Sequence, residues 1–451
     1  MPSAVSHDGA CLNGTHALDE SKSLTSEDVS HSDSIPSHPL GVKPLGNLYL
    51  FEGHNARRSI GTWESLPDEM LNIIFEHFDA SSLFNIGHTC KFFYAFCHSE
   101  ELWKALFLHN INLAHYTSRI PKANQIRRFD NLTHEQFSEQ WTGEPFILSK
   151  CIQDWPVTSR WTIDSLLQDY SQVEFRAEAV DWTFASYCKY MAQNCDESPL
   201  YLFDRNFAEK MGIKVGREAD AAYWRPECFG PDFFEVLGEE RPAHRWLIVG
   251  PERSGSTFHK DPNATSAWNA VIQGAKYWIM FPPTAQVPGV YVSKDSSEVT
   301  SPLSIAEWLL TFHGEARQLP ECVEGICRAG EILHVPSGWW HLVVNLEKGI
   351  ALTQNFVPES PSLHHLSEAL SFLRDKADQV SGFKQDCENP FELFTERLGK
   401  EYPEALEKAL DLADRKSGKK RKWDAAVAVD DEQSGGGFSF GFGGGDDEEI
   451  P

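Results

Sequence analysis

Apolar and polar positions along this chain give helical spacing on either side of a middle region of strand-like runs, and no rhythm at the ends. Between Leu66 and Phe78 apolar residues recur at helical spacing, with Leu71, Ile74, Phe75 and Phe78 on one face. The start Leu66-Pro-Asp-Glu69 carries a proline and acidic residues where a helix would begin. From about residue 130 to 360 come short apolar runs of strand length, bounded by Gly and Pro. Gly143-Glu-Pro-Phe-Ile-Leu-Ser149 predicts an entry strand within a mixed stretch, 129–171. Thr265-Ser-Ala-Trp-Asn-Ala-Val-Ile-Gln-Gly274 and Ala275-Lys-Tyr-Trp-Ile-Met-Phe281 predict two apolar strands meeting at a glycine. Gly330-Glu-Ile-Leu-His-Val-Pro-Ser-Gly-Trp-Trp-His341 predicts a strand, a turn and another strand. Helical spacing returns over 363–373 and 390–412. Residues 1–45 and the basic, then Gly-rich acidic tail 413–451 show no such rhythm and are expected to be disordered. No internal repeat stands out.

Candidate chemistry enters at one triplet. In Ser254-Gly-Ser-Thr-Phe-His-Lys-Asp-Pro-Asn263, His259 and Asp261 are two apart, so on an extended chain they face the same way. Pro262 biases Asp261 towards extended conformations. An H-x-D triplet alone is weak evidence in a chain with 18 histidines. With His341 from a distant strand it would supply two imidazoles and a carboxylate to one face of a metal. That set, with open positions, suits non-haem Fe(II) oxygenases. Lys276, Trp278 and Met280 share one strand face, and Thr353 and Asn355 share another. A lysine on a strand is usually exposed at an edge, yet Lys276 is hemmed in by apolar residues. His244 and His334 fit no ligand position and read as structural or surface residues. Trp339 and Trp340 read as packing.

These blocks, in this order, resemble the Jumonji-C (JmjC) oxygenases, in particular the phosphatidylserine-receptor-like branch associated with lysyl hydroxylation and arginine demethylation. The resemblance spans Ser198-Pro-Leu-Tyr-Leu-Phe-Asp204, Arg245-Trp-Leu-Ile-Val-Gly-Pro-Glu-Arg-Ser-Gly255, the H-x-D segment, and Gly349-Ile-Ala-Leu-Thr-Gln-Asn-Phe356. It implies a mainly β fold with added helices, a double-stranded β-helix or cupin-like jelly roll, over 130–360. It implies Fe(II) on His259, Asp261 and His341, which would also be the catalytic residues, with 2-oxoglutarate and O2 as co-substrates. Lys276 and Thr353 would hold the distal carboxylate of 2-oxoglutarate, with Asn269 and Tyr201 as further pocket positions. Of the neighbours Ser256 and Thr257, Thr257 is named for the co-substrate, although the motif does not choose between them. A hydroxyl placed on an N-methyl carbon gives demethylation, and one on a side-chain carbon gives stable hydroxylation; the motif does not separate them.

Residues 61–108 resemble an F-box, the small helical module that docks on the adaptor subunit of cullin ubiquitin ligases: Leu66, Pro67 and Glu69 match its start and Trp103 its later tryptophan. A plain helical subdomain packed on the barrel would read similarly. Helices over 361–412 would flank the barrel or form a dimer surface. Three functions follow: an active oxygenase on a protein side chain, a ligase adaptor using the barrel only for recognition, or both together. The set His259, Asp261, His341, Lys276 and Thr353 favours activity.

Composition trims the alternatives. The net charge of −26 argues against broad nucleic-acid binding and suits Lys/Arg-rich protein substrates such as histone tails or splicing-factor segments. No apolar run is long enough to predict a membrane-spanning helix. The 10 cysteines show no paired spacing, and with no signal peptide apparent they read as reduced thiols in an intracellular protein. Arg415-Lys-Ser-Gly-Lys-Lys-Arg-Lys422 reads as a nuclear localisation signal or a polyanion-binding patch, or otherwise as a solvated helix end.

Overall fold

The computed structural model describes residues 56–415, apart from 100, 104, 107–112, 294–298, 302–303 and 385–386. The disorder expected of 1–45 and 416–451, and most of the basic run, fall outside the described residues.

Eight strands, numbered in chain order, make two facing sheets. These are β1 (Arg245–Gly250), β2 (Gly255–His259), β3 (Ser266–Gln273), β4 (Ala275–Phe281), β5 (Val323–Arg328), β6 (Ile332–Val335), β7 (Trp340–Asn345) and β8 (Gly349–Phe356). One sheet runs β6-β3-β8-β1 and the other β5-β4-β7-β2, every neighbouring pair antiparallel. This is the cupin-like jelly roll, with consecutive strands alternating between sheets except β4 and β5, which are neighbours in the smaller sheet. Gly274, at φ 85°, is the corner where the chain leaves one sheet for the other. A Cβ there would meet the Lys348 carbonyl oxygen at 2.7 Å, so the corner needs glycine.

The larger sheet is extended at the β6 edge by Phe146–Leu148 and Arg127–Phe129, and at the β1 edge by Leu202–Asp204, Glu174–Ala177 and Val180–Thr183. Both faces of both sheets are covered, which explains why the strands read as near-continuous apolar runs. Outward-facing Trp268, Ala270 and Ile272 of β3 join a core with Leu247, Leu352, Trp155 and Tyr187. Outward-facing Tyr277, Ile279 and Phe281 of β4 pack on the helix Ile305–Thr311. Their neighbours Trp278 and Met280 turn inward, between the sheets.

The F-box-like module contains the helices α1 (Asp68–Phe75), α2 (Ala80–Gly87) and α3 (Lys91–Cys97). Asp68 and Glu69 occupy the first turn of α1, where the helix dipole favours negative charge. Asp79 caps α2 by accepting from the Ser82 amide at 2.8 Å. Leu71, Phe75, Leu83, Phe92 and Trp103 form its core. It rests on the jelly roll through Phe84 against Phe312, ring centroids 5.1 Å apart, and through His98 Nε2 with Glu307 Oε1 at 2.9 Å. The expected helix over 390–412 is two helices. Pro390–Glu401 ends at Tyr402, and a second runs over 403–415, because Pro403 cannot continue the backbone hydrogen bonding.

Candidate active site

Antiparallel register sets His341 of β7 directly opposite His259 of β2, ring centroids 4.1 Å apart. Between that pair and Val343–Ser256 the register slips by one residue, a β-bulge on β2. Bulges re-aim side chains and gather beside active sites. Asp261 follows β2 in extended conformation, φ −62° and ψ 146°, as the proline after it requires. One ligand atom from each of His259, Asp261 and His341 lies within 4.8 Å of the other two.

The three residues fit a divalent iron. The Nδ1 of His259 lies 2.8 Å from the Thr257 carbonyl oxygen, and that of His341 lies 3.1 Å from the Trp339 carbonyl oxygen. Donation by Nδ1–H to those carbonyls fixes the tautomer that leaves Nε2 for a metal. Burial, and then the neighbouring His259, hold His341 well below the usual histidine pKa, so it stays neutral as a ligand should. Asp261 Oδ2 is buried with no hydrogen-bond partner among the described residues. Burial pushes the carboxyl pKa up, while His259 and the amide of Asn355 oppose the rise. A buried carboxylate oxygen with no partner is costly unless a cation occupies the space beside it.

The triad opens into a cavity of about 300 Å3 between the sheets, lined among others by Tyr201, Trp246, Asn269, Trp278 and Thr353. Thr353 lies opposite Asn269 on one side and Trp246 on the other, so the three form a row across the larger sheet. Thr353 Oγ1 donates to the Trp268 carbonyl at 2.9 Å, and Asn269 Oδ1 is buried without a partner among the described residues. Lys276 is only 3% exposed. Its Nζ donates to Tyr201 Oη at 2.6 Å and to Asn345 Oδ1 at 2.8 Å. Neither acceptor carries charge, and burial pulls the lysine pKa down to about 7. Among the described residues no carboxylate faces this lysine, so an incoming anion would find its ammonium uncompensated.

Thr257 does not join this cavity. Ser256 lines it, and Thr257 faces a separate groove instead. Adjacent residues on a strand face opposite ways, and the bulge sets the phase in favour of Ser256. Asn345 and Ser254 were not foreseen. Asn345 Nδ2 donates to Ser254 Oγ at 2.9 Å, completing the support of Lys276. The signal was present, since Asn345 lies two alternations past His341 on an inward face. Gly250 was missed as well: a Cβ there would meet Ser254 Oγ at 2.2 Å, Asn345 Nδ2 at 2.7 Å and Tyr201 at 2.8 Å. Gly250→Ala is expected to cost about 1–3 kcal/mol and to raise the KM for 2-oxoglutarate, measured by thermal unfolding and by titration of the co-substrate. His334 is structural, buried among Phe137, Phe146 and Phe229 and pushed down to about 3 by burial. Trp339 and Trp340 are packing residues, the former donating to the Gly143 carbonyl at 3.1 Å.

Comparison with known proteins agrees with this geometry. Residues 134–361 match the model of the cupin-like domain, and 63–109 match the F-box-like model. The chain is 35% identical to the arginine-specific demethylase JMJ22 of Arabidopsis thaliana, over 87% of this chain and 88% of that protein. It is 35% identical to the bifunctional arginine demethylase and lysyl-hydroxylase psr-1 of Caenorhabditis elegans, over 52% of this chain and 62% of the relative. It is 31% identical to the 2-oxoglutarate and iron-dependent oxygenase JMJD4 of Danio rerio, over 44% and 45%. The chain belongs to the cupin-like JmjC family of iron- and 2-oxoglutarate-dependent oxygenases, in its psr-1-like branch, and carries an F-box-like module ahead of the oxygenase fold.

Proposed function

We propose that the chain hydroxylates lysine or N-methylated arginine and lysine side chains of Lys/Arg-rich proteins, consuming 2-oxoglutarate and O2. The observation that carries this reading is one cavity bounded by His259, Asp261 and His341 and by Tyr201, which takes the hydrogen bond of an uncompensated Lys276. Iron held by the triad supplies the oxidising power that the side chains lack. Lys276 and Tyr201 would hold the distal carboxylate of 2-oxoglutarate, with Thr353 turning its hydroxyl from the Trp268 carbonyl towards it and Asn269 offering its Nδ2–H. Burial keeps bulk water from the lysine, so its attraction for that carboxylate is stronger than at a surface.

The mouth of the cavity favours a cationic substrate. Phe203 is 39% exposed and lies against Trp246, ring centroids 5.4 Å apart, and both line the cavity with Tyr201 and Trp278. Aromatic faces attract lysine, arginine and their methylated forms by about 0.5–2 kcal/mol. JMJ22 and psr-1 are named for arginine demethylation, and psr-1 also for lysyl hydroxylation. The test is to incubate the Fe(II)-loaded chain with 2-oxoglutarate, air and Lys/Arg-rich peptides, some methylated, and to weigh the peptides. One added oxygen identifies hydroxylation and one lost methylene identifies demethylation. Neither change on any peptide, despite succinate formation without peptide, contradicts the basic-side-chain reading.

The F-box-like module supports a second role, delivery of a ubiquitin ligase to the same proteins. Met70 and Ile73 lie on the outer face of α1, 45% and 50% exposed, with exposed Pro67 just ahead of the helix. Large apolar side chains exposed together on a helix mark contact surfaces. Ile73→Asp is expected to abolish capture of the cullin-ligase adaptor subunit while succinate formation is kept. Equal capture by wild type and variant excludes this face. Nuclear residence, proposed from the basic run at 415–422, is tested by microscopy of a fluorescent fusion with and without those charges.

A further inference from the structure

A second groove, of about 380 Å3, begins where the catalytic cavity ends and shares Ser256 and His259 with it. Ser198, Thr257 and Arg253 form part of its walls, and among the described residues Glu178 is the one carboxylate that lines it. Arg253 turns its guanidinium onto the Asp196 carbonyl at 2.9 Å. Among the described residues the groove thus offers hydroxyls, backbone and two opposite charges, the carboxylate of Glu178 and the tethered guanidinium of Arg253.

Glu178 sits where the backbone does not favour it. Ala177 pairs with Val180, so Glu178 and Ala179 form a two-residue hairpin turn, and Glu178 has φ 50°. Such turns prefer Gly, Asn or Asp, and a bulkier residue there costs on the order of 1 kcal/mol or more. Strained positions of this kind cluster at ligand sites. The side chain is also held in place: Glu178 Oε1 accepts from the Tyr201 amide at 3.2 Å, beside the residue that receives Lys276.

We infer that this groove seats the segment of substrate chain next to the reacting residue, and that Glu178 pairs there with a lysine or arginine of that segment. The inference rests on the reading of the chain as an oxygenase of basic proteins. It explains why a strained turn carries a carboxylate at the entrance to the site. It also assigns recognition of flanking charge to a residue apart from the metal triad and the co-substrate pocket.

The test uses the full chain, loaded anaerobically with Fe(II) and 2-oxoglutarate. The probes are a fluorescein-labelled Gly/Ser-rich peptide bearing lysines and arginines and its counterpart with glutamine at every basic position. Their affinity ratio is measured by anisotropy in wild type, Glu178→Gln and Glu178→Lys. The glutamine keeps an acceptor for the Tyr201 amide and removes only the charge. Its ratio is expected to fall about fivefold, as for loss of a partly exposed ion pair, and the lysine variant is expected to fall further. Ratios equal to wild type in both variants, or no charge preference in wild type, overturn the inference. Succinate formation on the same peptides in air is read in parallel. Its absence with the charge preference intact counts against the oxygenase reading and leaves the groove standing. Succinate formed with unchanged ratios overturns the groove alone.

Discussion

Asp261→Asn is expected to reduce iron affinity at least 100-fold and to bring succinate formation to background. The substitution keeps the shape of the side chain and removes the negative charge that a cation needs. Its effect on the metal-free protein has the opposite sign. Asp261 Oδ2 is buried without a partner among the described residues, and burial already pushes its pKa up. Relieving that charge is expected to stabilise the metal-free fold by about 1 kcal/mol. Adding Mn(II) or Fe(II) at about 100 times the dissociation constant stabilises wild type by about 2.7 kcal/mol, and the variant gains nothing. Differential scanning of both proteins, with and without metal, checks the pair of signs. A variant that is less stable without metal and equally stabilised by it would mean that Asp261 is a structural carboxylate.

Lys276→Met is expected to raise the KM for 2-oxoglutarate about 10- to 100-fold, the worth of a charged hydrogen bond in a dry pocket. Wild type should also show a pH signature that the variant lacks. In the free protein the lysine pKa is about 7 through burial, against roughly 10.4 in the unfolded chain. Between those values the unfolded chain holds more protons than the folded one, so the ligand-free fold gains stability as pH rises from about 7 towards 10. Below about 7 the cost of charging the buried lysine is present in full. A bound carboxylate restores the ammonium, so binding above pH 7 takes up a proton. Affinity for 2-oxoglutarate therefore falls by up to tenfold per pH unit above about 7. Titrations between pH 6 and 9 on wild type and Lys276→Met check this. A flat profile in wild type would assign the carboxylate to another group.

The triad was legible because its signals are local. His259 and Asp261 are two apart, Pro262 holds Asp261 extended, and His341 follows a Pro-Ser-Gly turn. The inward face of Lys276 and Trp278 also follows from alternation once the strand is placed. What escaped the sequence depends on register between distant strands. The choice of Ser256 over Thr257 turns on a bulge between β2 and β7. The Phe203–Trp246 pair forms because Leu202–Asp204 adds to the β1 edge, and no local pattern announces that addition. Glu178 gave no signal, since a glutamate in a turn is ordinary until its φ and its position beside the groove are seen. The seating of the F-box-like module on the helix Ile305–Thr311 through His98 and Glu307 joins residues more than 200 positions apart, beyond any periodicity argument. The fold itself was readable because both faces of each sheet are buried, so each strand announces itself as an apolar run between breakers.

The most direct test of the central claim, that one cavity holds both iron and 2-oxoglutarate on these residues, is anaerobic optical titration. Fe(II)-loaded wild type should develop a visible metal-to-ligand charge-transfer band on addition of 2-oxoglutarate, saturating at one equivalent. Asp261→Asn should give no band, and Lys276→Met should give it only at much higher 2-oxoglutarate. Wild type that binds one equivalent of iron yet gives no band at any concentration would contradict the account, because the co-substrate would then not reach the metal held by His259, Asp261 and His341.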